Sequence, residues 1–295
     1  MHAKAVFFTG LGRIPVWSFA VVVQLRLSCL KCTNSSDFAR ACIGLLIWLL
    51  ACACSGPSSQ SESDVPANRS ESDKPVFTVL VFTKTAEFRH ESIPAGVRAI
   101  QSLGDEQHFR VDSSEDTAVF TDANLARYQV IVFLNTTGDI LDLNQQAAFE
   151  RFIQRGGGFA GIHSATDTEY DWGWYGRLVG VYFDNHPPIQ IATVKIVDAT
   201  HLSTIQLPAT WTRNDEWYNF RADPSSHVSV LIQVDEMTYM GGTMGKNHPI
   251  SWYHEFDGGR AWYTAMGHTT ESYSDALFLR HLSGGIRWAA GVPRE

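Results

Sequence analysis

Beyond Cys54 the sequence contains no cysteine: all five, Cys29, Cys32, Cys42, Cys52 and Cys54, lie in the first 54 of 295 residues. A disulfide framework, a cysteine zinc site and a cysteine nucleophile are thereby excluded from the body of the chain. Positive charge is scarce there too. The formal net charge is -8, but residues 1–54 carry five Lys/Arg against Asp37 alone, which leaves -12 on the rest. Such a body repels a phosphate backbone, so nucleic acid is excluded as a partner. No internal repeat is visible. What is present is a globular composition, 44% apolar and 12% aromatic, enough to bury a sizeable core.

The amino-terminal portion reads as an export signal. Residues 41–51, Ala-Cys-Ile-Gly-Leu-Leu-Ile-Trp-Leu-Leu-Ala, form an uncharged apolar run behind Arg40. This run suits a signal-peptide core better than a spanning helix, which needs roughly 20 apolar residues. Leu49-Leu50-Ala51-Cys52 resembles a bacterial lipobox, in which the cysteine becomes the lipidated first residue, and Cys54 fits that pattern less well. An uncleaved anchor is the alternative, and both place the body at the cell envelope on the periplasmic side, lipid-anchored or secreted. A second apolar stretch, Ile14 to Leu30, precedes this signal, so residues 1–39 read as a start-site extension. Residues 55–74 are Ser-rich, polar and without periodicity, as expected of a disordered tether.

From residue 75 onward strands and helices alternate. Val76 to Thr83, Tyr128 to Leu134 and Phe159 to Ile162 are apolar on both faces, as strands buried on two sides must be. Helices are expected over 91–103 and 143–154, the latter stopped by Gly156-Gly157-Gly158, and a further strand at His108 to Asp112. This order predicts an α/β domain with a mostly parallel central sheet. Later strands are expected at Ile189 to Val197 and Val228 to Val234, then a hairpin of Ile250 to Phe256 and Ala261 to Met266 around Asp257-Gly258-Gly259, and a closing helix from Ser274 to Ala290.

In open α/β sheets the ligand crevice lies beyond the carboxyl ends of the strands. Polar residues collect at those breaks: Arg89 and His90 after the first strand, Asn135 after the Tyr128 strand, His163 and Asp167 after the Phe159 strand, then Asp215-Glu216-Trp217-Tyr218 and Gly267-His268. Imidazoles and carboxylates aimed at one rim suit a catalytic pocket. Trp172, Trp174, Tyr175, Trp211, Trp217, Tyr218 and further aromatics fill the second half. Flat apolar faces beside polar groups suit a sugar ring, with its hydroxyls at the edge and hydrogens on the faces.

The run resembles the ThuA-like family, named for trehalose utilisation, of the class I glutamine amidotransferase-like superfamily. The resemblance covers residues 76 to 291 through Phe88-Arg89-His90, Gly156 to His163, Phe183-Asp184-Asn185-His186-Pro187, Asp215 to Tyr218, His248 to Tyr253, Gly259 to Tyr263, Gly267-His268-Thr269 and His281 to Ala289. It implies a flavodoxin-like three-layer α/β/α fold and a link to disaccharide or keto-sugar metabolism. In true amidotransferases the corresponding strand ends in a Gly-x-Cys-x-Gly elbow; here it reads Gly161-Ile162-His163-Ser164-Ala165. With no thiol to attack glutamine, glutaminase activity is excluded.

The leading expectation is a sugar-active isomerase, lyase or hydrolase using acid-base chemistry. A proton beside a sugar carbonyl is within reach of an imidazole base near neutral pH. His163 takes the role of base, assisted by Asp167 or Glu216, with Glu216 as acid or second base and His90 and His268 polarising an oxyanion. Arg89, Asn135, Trp174, Asp215 and Tyr218 are the candidates for substrate binding. His163, at a tight strand exit, is expected to point into the crevice, so that its replacement spares packing. His281 is expected to be structural. No cofactor is required by these roles; a variant places a divalent metal among His90, His163, His186 and His268, although no tight His-x-x-x-His pair marks it. The alternative of another class is a non-catalytic carbohydrate-binding lipoprotein, distinguished by whether carboxylates reach His163 or aromatics alone line the cleft.

Overall fold

Doubly apolar sequence produces the centre of the sheet. Strands β1 (Thr78–Phe82), β3 (Val130–Leu134) and β4 (Gly158–Ile162) are almost wholly buried and lie side by side in parallel register. Strand β2 (Arg110–Ser114) adds parallel to the outer side of β1, and β11 (Gly259–Thr264) adds parallel to β4. This computed structural model describes residues 76–293. The export segment with Cys52 and the Ser-rich tether lie outside the described residues.

Helix α1 (Ile93–Gln107) carries the chain from β1 outward to β2, whereas α3 (Leu143–Gln154) carries it from β3 in the opposite direction to β4. Parallel crossovers are right-handed, so opposite directions along the sheet put the two helices on opposite faces. The closing helix α5 (Ala276–Ala289) packs beside α1. Helix α2 (Asp122–Leu125) packs on α3, and Phe149 of α3 meets Trp174 of α4 (Gly173–Val179). The result is the expected three-layer α/β/α arrangement, with its direction reversal between β1 and β3.

Beyond β11 the strands turn antiparallel: β10 (His248–Phe256), β9 (Ser229–Val234), β6 (Gln190–Ile196) and β7 (Thr210–Asp215) extend one sheet of order β2-β1-β3-β4-β11-β10-β9-β6-β7. The β10–β11 hairpin turns on Asp257 and Gly258, both at positive φ (49° and 92°), the backbone that a two-residue turn demands. A separate two-stranded ribbon pairs β5 (Phe183–Asn185) with β8 (Asn219–Phe220). Helix α5 approaches β11 so closely that a Cβ at Gly285 would lie 2.2 Å from the Trp262 ring. Among the described residues no helix is long and apolar enough to cross a membrane.

Candidate active site

The site begins where β4 ends. His163 opens a short 3-10 turn, His163–Thr166, at φ 51°, a left-handed conformation that costs a non-glycine residue about 1–3 kcal/mol unless its surroundings impose it. Here they do. Its ring Nδ1 lies 2.7 Å from the Ala265 carbonyl, its own carbonyl accepts from the Tyr263 hydroxyl at 2.8 Å, and its ring packs on Tyr218 at 4.3 Å between centroids. A carbonyl only accepts, so Nδ1 carries a proton, and Nε2 is turned toward His268 and Glu216. The expectation that His163 stands free of the packing is thus corrected: its side chain is fully buried and hydrogen-bonded to a strand end.

His268 and Glu216 arrive from the ends of β11 and β7, and one residue holds both. Asp215, completely buried, accepts the backbone N–H of Gly267 at 2.9 Å, of His268 at 3.0 Å and of Glu216 at 3.0 Å, and is itself paired with Arg213 at 2.9 Å. Expected to bind substrate, Asp215 instead spends its lone pairs joining the two loops. Glu216 Oε2 then lies 3.1 Å from His268 Nδ1 and 3.5 Å from His163 Nε2. Burial pushes the Glu216 carboxyl upward, but the His163 and His268 imidazoles, donating to it when protonated, outweigh that and hold it well below the usual carboxylate range.

His90, from the loop between β1 and α1, closes the cluster edge-on, with ring centroids 4.8 Å from His163 and 5.0 Å from His268. Burial first, and then the neighbouring imidazoles of His163 and His268, bring its pKa down to about 2, so the ring is neutral near pH 7. One donor atom each from His90, His163, Glu216 and His268 lies within 4.8 Å of all the others. His163 Nε2 and Glu216 Oε2 lie 3.5 Å apart, and each is 3.1 Å from His268 Nδ1. Imidazole nitrogens and a carboxylate oxygen gathered at this spacing are ligand types that a divalent cation such as zinc takes.

The metal variant named His186 in the place that Glu216 occupies. His186 is 40% exposed and its Nδ1 contacts the other carboxylate oxygen, Glu216 Oε1, at 3.0 Å, so it stands outside the four donors. Tyr218 is buried between His163 and Phe183. Asp167 sits at the rim, bound by the Tyr170 hydroxyl, and burial raises its pKa.

Three expected substrate ligands turn elsewhere. Arg89 pairs with Glu115 and reaches the Thr83 carbonyl. Asn135, fully buried at φ 50°, donates to Ser92 Oγ at 3.0 Å and to the Gly267 carbonyl at 3.3 Å, bracing the pocket floor. Trp174 donates to Asp257 Oδ2 at 2.9 Å, at the hairpin that precedes β11 and hence at the opposite, amino-terminal edge of the parallel strands. Its ring stacks on Trp172 and meets Phe256 edge-on, partly buried against the core. Of the two residues that orient His163, Tyr263 is one of the second-half aromatics read as suited to a sugar, but its hydroxyl serves the His163 carbonyl instead, and Ala265 sits in an apolar strand run that sequence alone cannot tell from core.

The chain is thus an α/β protein with a parallel-centred sheet and with three imidazoles and a carboxylate gathered at its carboxyl edge. The ThuA family model, described as trehalose utilisation, matches residues 78–289, and the chain belongs to that family. A solved ThuA-like protein from Bacteroides uniformis is 25% identical, with a TM-score of 0.63 over 76% of this chain and 94% of its own. One from Parabacteroides merdae is 20% identical, also at TM-score 0.63, over 75% and 93%. A Bacillus circulans β-galactosidase shares the fold alone, at 13% identity and TM-score 0.50 over 75% of this chain and 31% of its own. No curated protein matches the chain.

Proposed function

We propose that this ThuA-family chain is a sugar-active enzyme of the cell envelope, acting on a disaccharide or 3-keto-sugar by acid-base chemistry centred on His163 and Glu216. The observation that carries the reading is the buried carboxylate of Glu216 3.1 Å from His268 and 3.5 Å from His163. A pocket that only binds sugar gains nothing from a buried carboxylate set against two imidazoles, whereas proton transfer uses such an arrangement. That favours catalysis over the non-catalytic carbohydrate-binding alternative. The family's description, trehalose utilisation, supports the substrate class.

His90, His163, His268 and Glu216 would hold a divalent cation, which when bound supplies a Lewis acid to polarise a sugar oxygen. The chain's own residues do the rest. The Ala265 carbonyl fixes the His163 tautomer so that Nε2 faces the pocket, and Asp215 fixes the spacing of Glu216 and His268. Glu216 is placed to take a proton beside a carbonyl, and His186, half exposed on its other oxygen, to pass that proton toward solvent. A screen of the purified chain against disaccharides and their 3-keto derivatives, with and without chelator, tests the reading. Turnover of one of them is expected, and its absence throughout, with sugar binding intact, would move the chain to the binding-protein class.

The envelope location rests on the lipobox-like Leu49-Leu50-Ala51-Cys52. Cys52→Ser is expected to shift the protein out of the membrane fraction or stall its processing. An unmodified protein recovered only from the cytoplasm would refute the location.

A further inference from the structure

The rings of the site form a continuous series. Phe88 meets His90 edge-on at 4.8 Å, His90 meets His163 at 4.8 Å, His163 meets Tyr218 at 4.3 Å, and Tyr218 meets Phe183 at 4.3 Å and His186 at 5.9 Å. The middle of the series is buried and its two ends are open: Phe88 is 63% exposed and His186 is 40% exposed on its side chain. The donor cluster lies along the buried middle of this series, between two exposed rings.

Phe88 is unusual among these rings. A phenyl group has no polar atom to satisfy, so nothing in its chemistry favours exposure, and chain mobility does not explain it. The Ala86 N–H donates to the Thr137 carbonyl at 2.8 Å, and the Phe88 carbonyl accepts from Thr137 Oγ1 at 2.9 Å, which pins the backbone on both sides of the residue. The next side chain, Arg89, is drawn away to Glu115, leaving Phe88 exposed and edge-on to His90. The ring is held in the open by its own loop.

We infer that Phe88 is the substrate platform: its exposed face receives the apolar face of a pyranose ring and sets that ring over His90 and the donor cluster, making Phe88 a specificity-determining residue. This rests on the sugar reading above. A pinned aromatic ring contributes to binding without an ordering cost, and it selects for a ligand having a flat face of C–H groups rather than hydroxyls alone. The neighbouring Glu87 supplies an acceptor for hydroxyls at the ring edge.

The test is calorimetric titration of the full chain and of Phe88→Ala and Phe88→Trp with trehalose, with the acyclic polyol mannitol as a ligand that has hydroxyls but no rigid ring face. Phe88→Ala is expected to weaken trehalose binding by about two- to tenfold, the range for one lost aromatic contact, and to leave mannitol binding unchanged. Phe88→Trp is expected to restore trehalose binding. Zinc titration of Phe88→Ala should match the wild type, which separates loss of the platform from loss of the cluster. Unaltered trehalose binding by Phe88→Ala, or equal weakening of both ligands, would overturn the platform. If the wild-type chain takes up zinc but binds no trehalose, the platform is overturned, whereas the sugar reading itself fails only if the screen of disaccharides and 3-keto derivatives also finds neither turnover nor binding.

Discussion

His163 meets three demands at once: left-handed backbone, a buried hydrogen bond to Ala265, and a second ring nitrogen aimed into the cluster. Two replacements separate them. His163→Ala leaves the Ala265 carbonyl buried without its partner and keeps a Cβ in the left-handed region, so a loss of about 1–3 kcal/mol in unfolding free energy is expected. His163→Asn, whose side chain tolerates that backbone, should lose about 1 kcal/mol less. Both should lose cation affinity alike in a zinc titration; retained affinity in either would remove His163 from the donor set. The identity of His163 was legible from the sequence because it directly follows a strand whose end is visible. Its burial was not, because the groups enclosing it, Tyr263 and Tyr218, come from about 100 and 55 residues further along the chain in contacts that no local pattern encodes.

At the scale of elements, the strands that position His90 and His163 were readable, since a strand buried on both faces is a continuous apolar run. Strand β7 was missed for a definite reason. Its inward positions are Trp211, Arg213 and Asp215 and its outward ones Thr210, Thr212 and Asn214, so the alternation is real but two of three buried residues are charged. Arg213 Nη2 pairs with Asp215 and donates to Ser272 Oγ, and Asp215 takes three backbone N–H groups besides, which lets the two charges occupy core positions although Arg213 Nε and Nη1 find no hydrogen-bond partner among the described residues. Edge strand β2 was displaced by two residues because His108, at φ 60°, ends helix α1 before the strand starts. The element-level function of β7 is to deliver Glu216 in register with His268. Asp215→Asn cannot accept all of its N–H donors equally and is expected to weaken zinc binding about 10- to 100-fold, as loss of an outer-sphere ligand support does. Zinc affinity equal to wild type would show that Glu216 and His268 hold their spacing without it.

For the whole molecule, burial of uncharged imidazoles makes stability depend on acid. Burial lowers the pKa of His248 and His254, and brings His281, between the Ser203 carbonyl and Ser251 Oγ, down to about 3. In each the folded pKa lies below the unfolded value near 6.5, so the unfolded chain takes up protons first and stability falls as pH drops below about 6.5. Each such histidine contributes a slope of at most about 1.4 kcal/mol per pH unit. Asp167 and Glu169, whose pKa values burial raises, act in the opposite direction but only nearer the carboxylate range. The thermal midpoint should therefore fall steadily from pH 6.5 to pH 5, and a flat profile across that interval would mean these imidazoles are charged in the fold.

The measurement that bears most directly on the central claim, that the imidazole–carboxylate cluster performs chemistry on a sugar, is the turnover rate of Glu216→Gln beside wild type on whichever disaccharide or keto-sugar the screen identifies. Gln keeps the shape and removes the base, so the rate is expected to fall by about 10² to 10⁴ with the fold intact. A Glu216→Gln enzyme turning over at the wild-type rate would contradict the claim and move the chemistry away from this cluster.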